Sequence, residues 1–183
     1  YGVSLARKGS SFAATNEFMQ GIKLIAQHWD QRAGSTEYSR ALERGFVALR
    51  ESEDFVIKES DAQHFTNPMS IIRSHRSKVI NLDESKDLPA IEILRRYMKY
   101  AQTQSVDAGG SSPIAADLLY SLGKLHLTLA NFKKEPEINK ARAIILFRSA
   151  YAVNPQNGLA ANELAVILAQ NGHMESAKRL LIS

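Results

Sequence analysis

The chain has no cysteine, which excludes disulfides and thiolate metal sites. It also leaves the redox compartment open, because cysteine-free proteins occur on both sides of a membrane. No apolar run approaches the ~18 residues that would span a bilayer. Residues Tyr1 to Ser10 hold two basic side chains and no continuous apolar core, so they do not read as a secretory signal. An initiating Met is missing, and both ends fall inside helical patterns, so the sequence reads as a piece of a longer chain. Catalytic signatures are missing as well. The five histidines, His28, His64, His75, His126 and His173, are far apart and show no His-x3-His or His-Glu-x2-His spacing. There is no Gly-x-Ser-x-Gly elbow. Gly109-Gly110-Ser111-Ser112 precedes a helix but lacks the Gly-Lys-[Ser/Thr] ending of a phosphate loop, so it reads as a flexible link and helix cap. No catalytic residue, metal ligand or cofactor site is assigned.

A large excess of one charge is also missing. Over 183 residues, 23 basic and 19 acidic side chains leave a net charge of +4. The corresponding pI near 9.3 permits an acidic partner and argues only weakly for nucleic acid. Basic residues do collect at Arg73, His75, Arg76 and Lys78, and again at Arg95, Arg96 and Lys99. The second group could form a stripe on one helix face, although a solvated face is the commoner meaning. No aromatic residue interleaves with the first group, which disfavours stacking on single-stranded RNA.

What the sequence has is helical periodicity. Tyr1 to Gly9 reads as the closing half of a helix, ended by glycine. Ser10 or Ser11 then caps a helix through Phe12, Ala14, Phe18, Ile22 and Ile25. After a turn at Ala33-Gly34-Ser35, Ser35 or Thr36 would cap a helix to about Glu53, striped by Tyr38, Leu42, Phe46 and Leu49. Gly45 in its middle costs up to ~1 kcal/mol relative to Ala, so close packing against a neighbour is expected there. From 54 to 86 the pattern fails. Phe55-Val56-Ile57 and Val79-Ile80 are β-prone, Asn67-Pro68 is a breaker, and Ser70 to Arg76 could supply one or two helical turns. A stretch this long is expected to hold a short helix and loops folded over the rest. Helix resumes after Asp87, with Leu88, Ile91, Leu94, Met98 and Ala101 in register to about Ser105. Ser112 and Pro113 open a helix carrying Ile114, Ala115, Leu118, Leu119, Leu122, Leu125 and Leu129. Further helices carry Ala143 to Tyr151, then Leu159 to Gln170, then Met174 to at least Ile182.

Ala143 and Ala177 stand 34 residues apart in equivalent surroundings. Leu122-Gly123, Ala143, Phe147, Ala150 and Pro155, then Leu164-Ala165, Gly172, Ala177 and Leu181, resemble the tetratricopeptide repeat (TPR) family. Leu119 takes the place of the family's Trp, and Tyr1-Gly2, Gly9, Ala14 and Phe18 fit a partial repeat at the start. The resemblance covers about 116–181 and, more loosely, 1–26. It implies an all-α fold, a right-handed α-solenoid of stacked antiparallel helix hairpins. The divisions are a partial repeat over 1–26, helix and turn over 27–53, an irregular insertion over 54–86, and helix with a Gly-rich link over 87–111. A repeat with an extended hairpin over 112–157 and a truncated repeat over 158–183 complete one domain. Gly123 to Ala143 is eight residues longer than the family's spacing, so an extended helix or longer turn is expected around Phe132 to Lys140.

In this family the first helix of each hairpin lines a concave groove in which partner peptides often lie. Carried over, that places Asp117, Tyr120, Lys124 and Thr128 on one helix face and Asn162, Val166 and Gln170 on the next. The carboxylate clamp of some relatives is not supported, because Ser121 and Glu163 stand where Asn would be needed. The expectation is therefore a non-catalytic module of a larger protein, binding a protein or peptide segment. Its alternatives are a nucleic-acid-binding helical repeat and a structural spacer or self-association segment. The face could also be merely solvated, or covered by residues 54–86.

Overall fold

The structure, a computed structural model, describes residues 2–7, 9–56, 68–132 and 135–182. It is all-α, and the described residues contain no strand. Ile57, His64 and Asn67, about which the sequence made predictions, lie outside the described residues, as do Tyr1 and Ser183.

Helix α1 (Gly2–Arg7) is followed by α2 (Ser11–Ala33), with Gly9 at φ 78° between them. The buried stripe of α2 is Ala14, Phe18, Ile22 and Ala26, a four-residue spacing, while Phe12 is 80% exposed and off the stripe expected for it. The helix ends at Gly34, whose φ of 63° satisfies a left-handed cap. Helix α3 (Glu37–Glu51) starts one turn later. Thr36 makes no side-chain cap bond, and Ser35 Oγ accepts only a long bond from the Glu37 N–H at 3.4 Å. Asp30, a buried residue of the preceding helix, supplies the stronger cap, its carboxylate accepting from the Tyr38 N–H at 2.9 Å and the Ser39 N–H at 3.0 Å. Burial raises this carboxyl, but hydrogen bonds from Ser39, Tyr38 and Ser35 outweigh it and hold the group below the usual range.

The last turn of α3 tightens into a 3₁₀ turn over Ser52–Phe55, where the sequence suggested continued helix and then β structure. Helix α4 (Pro68–Ser74) fulfils the expected short helix, and a 3₁₀ turn follows at Glu84–Asp87. The β-prone residues Phe55 and Ile80 are core. With Ile72 they are buried against Ile93, Tyr97 and Ile138, so residues 68–86 cover one end of the α3–α5 pair.

Helix α5 (Ala90–Gly109) follows Pro89 and runs four residues past its expected end. Asp107-Ala108-Gly109 is therefore helix, and Ala108 and Gly109 are buried. A Cβ on Gly109 would lie 2.8 Å from Val153 Cγ2, so this glycine permits a close approach of chain to chain. The buried stripe is Ile93, Tyr97, Met98, Ala101, Ser105 and Ala108, leaving Ile91 49% exposed. Tyr97 is fully buried, and its hydroxyl has a polar partner in His75.

Helix α6 (Pro113–Asn131) opens as expected, with Ser112 Oγ accepting from the Ala115 N–H at 3.3 Å and Pro113 in its first turn. Helix α7 (Pro136–Val153) begins only a few residues after α6 ends. Helices α6 and α7 have 19 and 18 residues, with residues 132–135 between them. Helices α8 (Gly158–Gln170) and α9 (Met174–Ile182) complete the chain, separated by a turn with Gly172 at φ 82°.

Neighbouring helices pair as α1 with α2, α3 with α5, α6 with α7 and α8 with α9. Small residues lie where paired helices cross. A Cβ on Gly45 would meet Gln104 Cβ at 3.2 Å and the Ala101 carbonyl at 3.3 Å, and one on Gly123 would meet the Phe147 ring at 2.6 Å. Ala143 and Ala150 are fully buried. Two further contacts join one pair to another, the first between adjacent pairs and the second across the intervening α3–α5 pair. Helix α5 packs on α7, and α2 packs on α6 around Gly21 and Leu118. The main core gathers Phe18, Ile22, Leu42, Leu119, Leu122, Leu125 and Leu146 from α2, α3, α6 and α7. Each fully buried side chain of this kind contributes ~1.5–3 kcal/mol.

Candidate functional site

Ala115, Ala116, Leu119, Leu122, Gly123 and Leu125 turn one side of α6 into the core. Three- and four-residue steps on the other side carry Asp117, Tyr120, Lys124 and Thr128. Helix α8 repeats the arrangement, with Ala160, Ala161, Leu164 and Ala165 inward and Asn162, Val166 and Gln170 exposed. Asp117 and Thr128 are also exposed, whereas Tyr120 and Lys124 are half-buried.

The two helices are tied together along this face. Lys124 Nζ donates to Glu163 Oε1 at 2.8 Å, and the Asn157 side-chain amide donates to Asp117 Oδ1 at 2.9 Å. Asn157 also caps α8, its Oδ1 accepting from the Ala160 N–H at 2.9 Å. The Tyr120 ring lies 5.7 Å from that of Phe147. Burial raises its hydroxyl pKa, with Lys124 opposing and Glu163 adding to the shift. Two hydroxyls are spent inside the helix, Thr128 Oγ1 donating to the Lys124 carbonyl and Ser121 Oγ to the Asp117 carbonyl, each at 2.8 Å. The face therefore offers an internally paired centre, Lys124–Glu163, surrounded by exposed Asp117, Asn162, Val166 and Gln170. Such a surface suits hydrogen bonding and apolar contact with an extended segment.

Asn157 and Glu163 were not among the residues expected to form the site. Glu163 entered the sequence reading only as a departure from the carboxylate clamp, and the structure gives it a specific job as the partner of Lys124. Asn157 was legible only as a turn residue after Asn154-Pro155, since its bond to Asp117 requires the fold. His126 is half-buried against α7 with Nδ1 2.7 Å from Asn139 Oδ1, and desolvation lowers its pKa.

The two basic groups of the sequence are separated. Arg95 and Arg96 pair with Glu92, and Arg96 also with Glu84. Arg76 is instead drawn to α3, where its guanidinium meets Glu43 at 2.9 Å and its backbone N–H donates to Glu51 at 2.6 Å. The Ser77 N–H donates to the other Glu51 oxygen at 3.1 Å, which clamps this loop to the helix. His75 is wedged beneath, with Nδ1 2.8 Å from the Tyr97 hydroxyl and Nε2 3.0 Å from Asp54. The result is a cavity of about 380 Å³ lined by Arg40, Glu43, Arg44, Arg76, Lys78 and Tyr100.

Among the described residues no group of three or more His, Cys, Asp or Glu is placed to hold a metal ion, and no helix is long and apolar enough to cross a membrane. Compared with protein-family models, with curated proteins and with solved structures, the chain has no match in any of the three.

Proposed function

We propose that the chain is a TPR-like helical-repeat module, non-catalytic, that binds a segment of a partner protein along the face shared by α6 and α8. In this reading α6–α7 and α8–α9 are successive repeats of a right-handed solenoid. Support comes from the small residues at the helix crossings, Gly123 against Phe147 and buried Ala143, Ala165 and Ala177. The observation that carries the proposal is the Lys124–Glu163 pair, which joins the first helices of two successive hairpins. It leaves Asn162, Val166 and Gln170 exposed beside it. Described residues 68–86, which could have covered such a face, pack into the cluster around Ile93 and Tyr97. The nucleic-acid alternative draws less support, because 23 basic residues stand against 19 acidic ones and leave a net charge of only +4.

A photo-crosslinking side chain at Val166, compared with one at exposed Arg148 on α7, tests the assignment. A partner that crosslinks from position 166 and not from 148 is expected. Equal yields from both positions would place binding elsewhere.

A further inference from the structure

Helix α3 carries a second feature. One cavity, about 380 Å³, lies between α3, the Arg76–Lys78 loop and Tyr100 of α5, and holds four cationic side chains, Arg40, Arg44, Arg76 and Lys78, against the single carboxylate of Glu43. A second, about 440 Å³, lies between α2 and α3 and has Lys23 and Arg50 at its margin above Met19, Leu42 and Phe46. Glu43 and Val47 line both, so the two are adjoining halves of one depression along α3. We propose that this depression is a binding site for an acidic peptide segment with interspersed apolar side chains, distinct from the α6–α8 face and independent of its assignment.

The chemistry of the lining selects that class of ligand. Arginine presents a planar fork that matches a carboxylate, and three arginines of the first half are spaced around one opening. Their present partners are surface groups. Arg40 and Arg44 share Glu37, and Arg76 holds Glu43, with each side chain 45% exposed or more. Exposed pairs of this kind contribute little, so a ligand carboxylate can displace them at small cost. The second half adds what a polyanion alone would not use, an apolar floor of Met19, Leu42, Phe46 and Val47. A nucleic-acid backbone would find Glu43 at the junction of the halves and its charge set against a phosphate track. A peptide alternating carboxylate and aliphatic side chains can place its acids on the rim and its apolar groups in the floor. That combination of charge and apolar contact favours peptide over nucleic acid.

The test is fluorescence anisotropy of the whole chain with a labelled synthetic peptide of alternating Glu and Leu. Binding should weaken with rising salt and fall roughly tenfold or more in the double variant Lys78→Glu, Arg50→Glu. Both side chains are exposed, so circular dichroism of the variant should be unchanged. A peptide of equal charge with Gly for Leu should bind markedly less well. The proposal is overturned by failure of the Glu-Leu peptide to bind, or by equal binding to the folded variant. It is equally overturned if the Gly peptide binds as tightly, or if a single-stranded oligonucleotide of equal charge binds more tightly than the peptide.

Discussion

Replacing Gly123 by alanine sets two known effects against each other inside one helix. Alanine is preferred over glycine in a helix interior by about 1 kcal/mol, so an isolated α6 would gain from the change. In the folded chain the new Cβ would lie 2.6 Å from Phe147 Cε1, 2.7 Å from Phe147 Cδ1 and 3.3 Å from the Ala143 carbonyl oxygen. Phe147 is fully buried and packed against Tyr120, and the third contact is backbone, so neither neighbour can swing aside. Overpacking of this kind costs ~1–3 kcal/mol, and the rigid surroundings put it toward the upper end. The net loss should be about 1–2 kcal/mol, a fall of roughly 2–8 °C in Tm for a chain of this size. Gly158→Ala is the matched control, because it opens α8 and its Cβ would meet nothing within 4 Å. It should raise Tm by about 1–4 °C. Gly45→Ala, with its nearest contacts at 3.2–3.3 Å, should fall between the two. Thermal unfolding followed by far-UV circular dichroism ranks all three. If Gly123→Ala is as stable as the unsubstituted chain, the close crossing of α6 on α7 is refuted.

Gly110→Ala should be costlier, ~1–3 kcal/mol for the backbone alone, since Gly110 has φ 57° and ψ −129° and its Cβ would sit 2.9 Å from Trp29 Nε1. Trp29 is the single tryptophan, so its fluorescence emission should shift in this variant, and an unchanged spectrum would count against the contact. His126 has its pKa lowered by burial, so the unfolded chain binds the proton more readily. Its contribution to stability is then complete above the unfolded value of about 6.5 and declines as pH falls below it. Urea unfolding at pH 7 and pH 5 should show that decline, and His126→Gln should reduce it. Arg142, largely buried, pairs with Glu53 and reaches the Leu49 carbonyl at 3.4 Å. Glu53→Ala should therefore destabilise by about 1–2 kcal/mol, more than Arg142→Met, which removes the buried charge itself. Equal losses in chemical denaturation would show that the charge is not desolvated.

Where small and large residues alternated at helical spacing, the sequence was readable in detail. Ser112-Pro113 opened α6 as expected and Gly172 ended the stretch after α8, because each depends on local backbone chemistry, while mid-helix Gly45 signalled a close approach without showing its partner. What failed depended on partners distant in the chain. Phe55 and Ile80 read as β-prone since branched and aromatic residues favour any half-buried surface, and only the fold shows them filling the end of the α3–α5 pair. Ile91 read as core, yet it is 49% exposed and the buried stripe of α5 runs through Ile93 and Tyr97, which pack on Phe55 and Ile72 from distant parts of the chain. Gly109-Gly110 read as a flexible link, and Val153 and Trp29 are what make the two glycines tight-packing positions. At the candidate site, Asp117, Tyr120, Lys124 and Thr128 all lie in α6, Asp117 and Thr128 exposed and Tyr120 and Lys124 half-buried. The ties to Asn157 and Glu163 span 40 and 39 residues and follow no local rule.

The packing of α2 on α6 has a consequence for how the chain opens. In a linear array each unit touches only the next, and unfolding can proceed piecemeal from any point. Gly21 and Leu118, 97 positions apart, bind an early segment to a late one. Forming that contact requires closing a long loop, and releasing it exposes the core from α2 to α7 in a single event. Helices α2 to α7 should accordingly exchange their amide hydrogens as one slow cooperative block. Helix α9, which buries only Ala177, should exchange ahead of it.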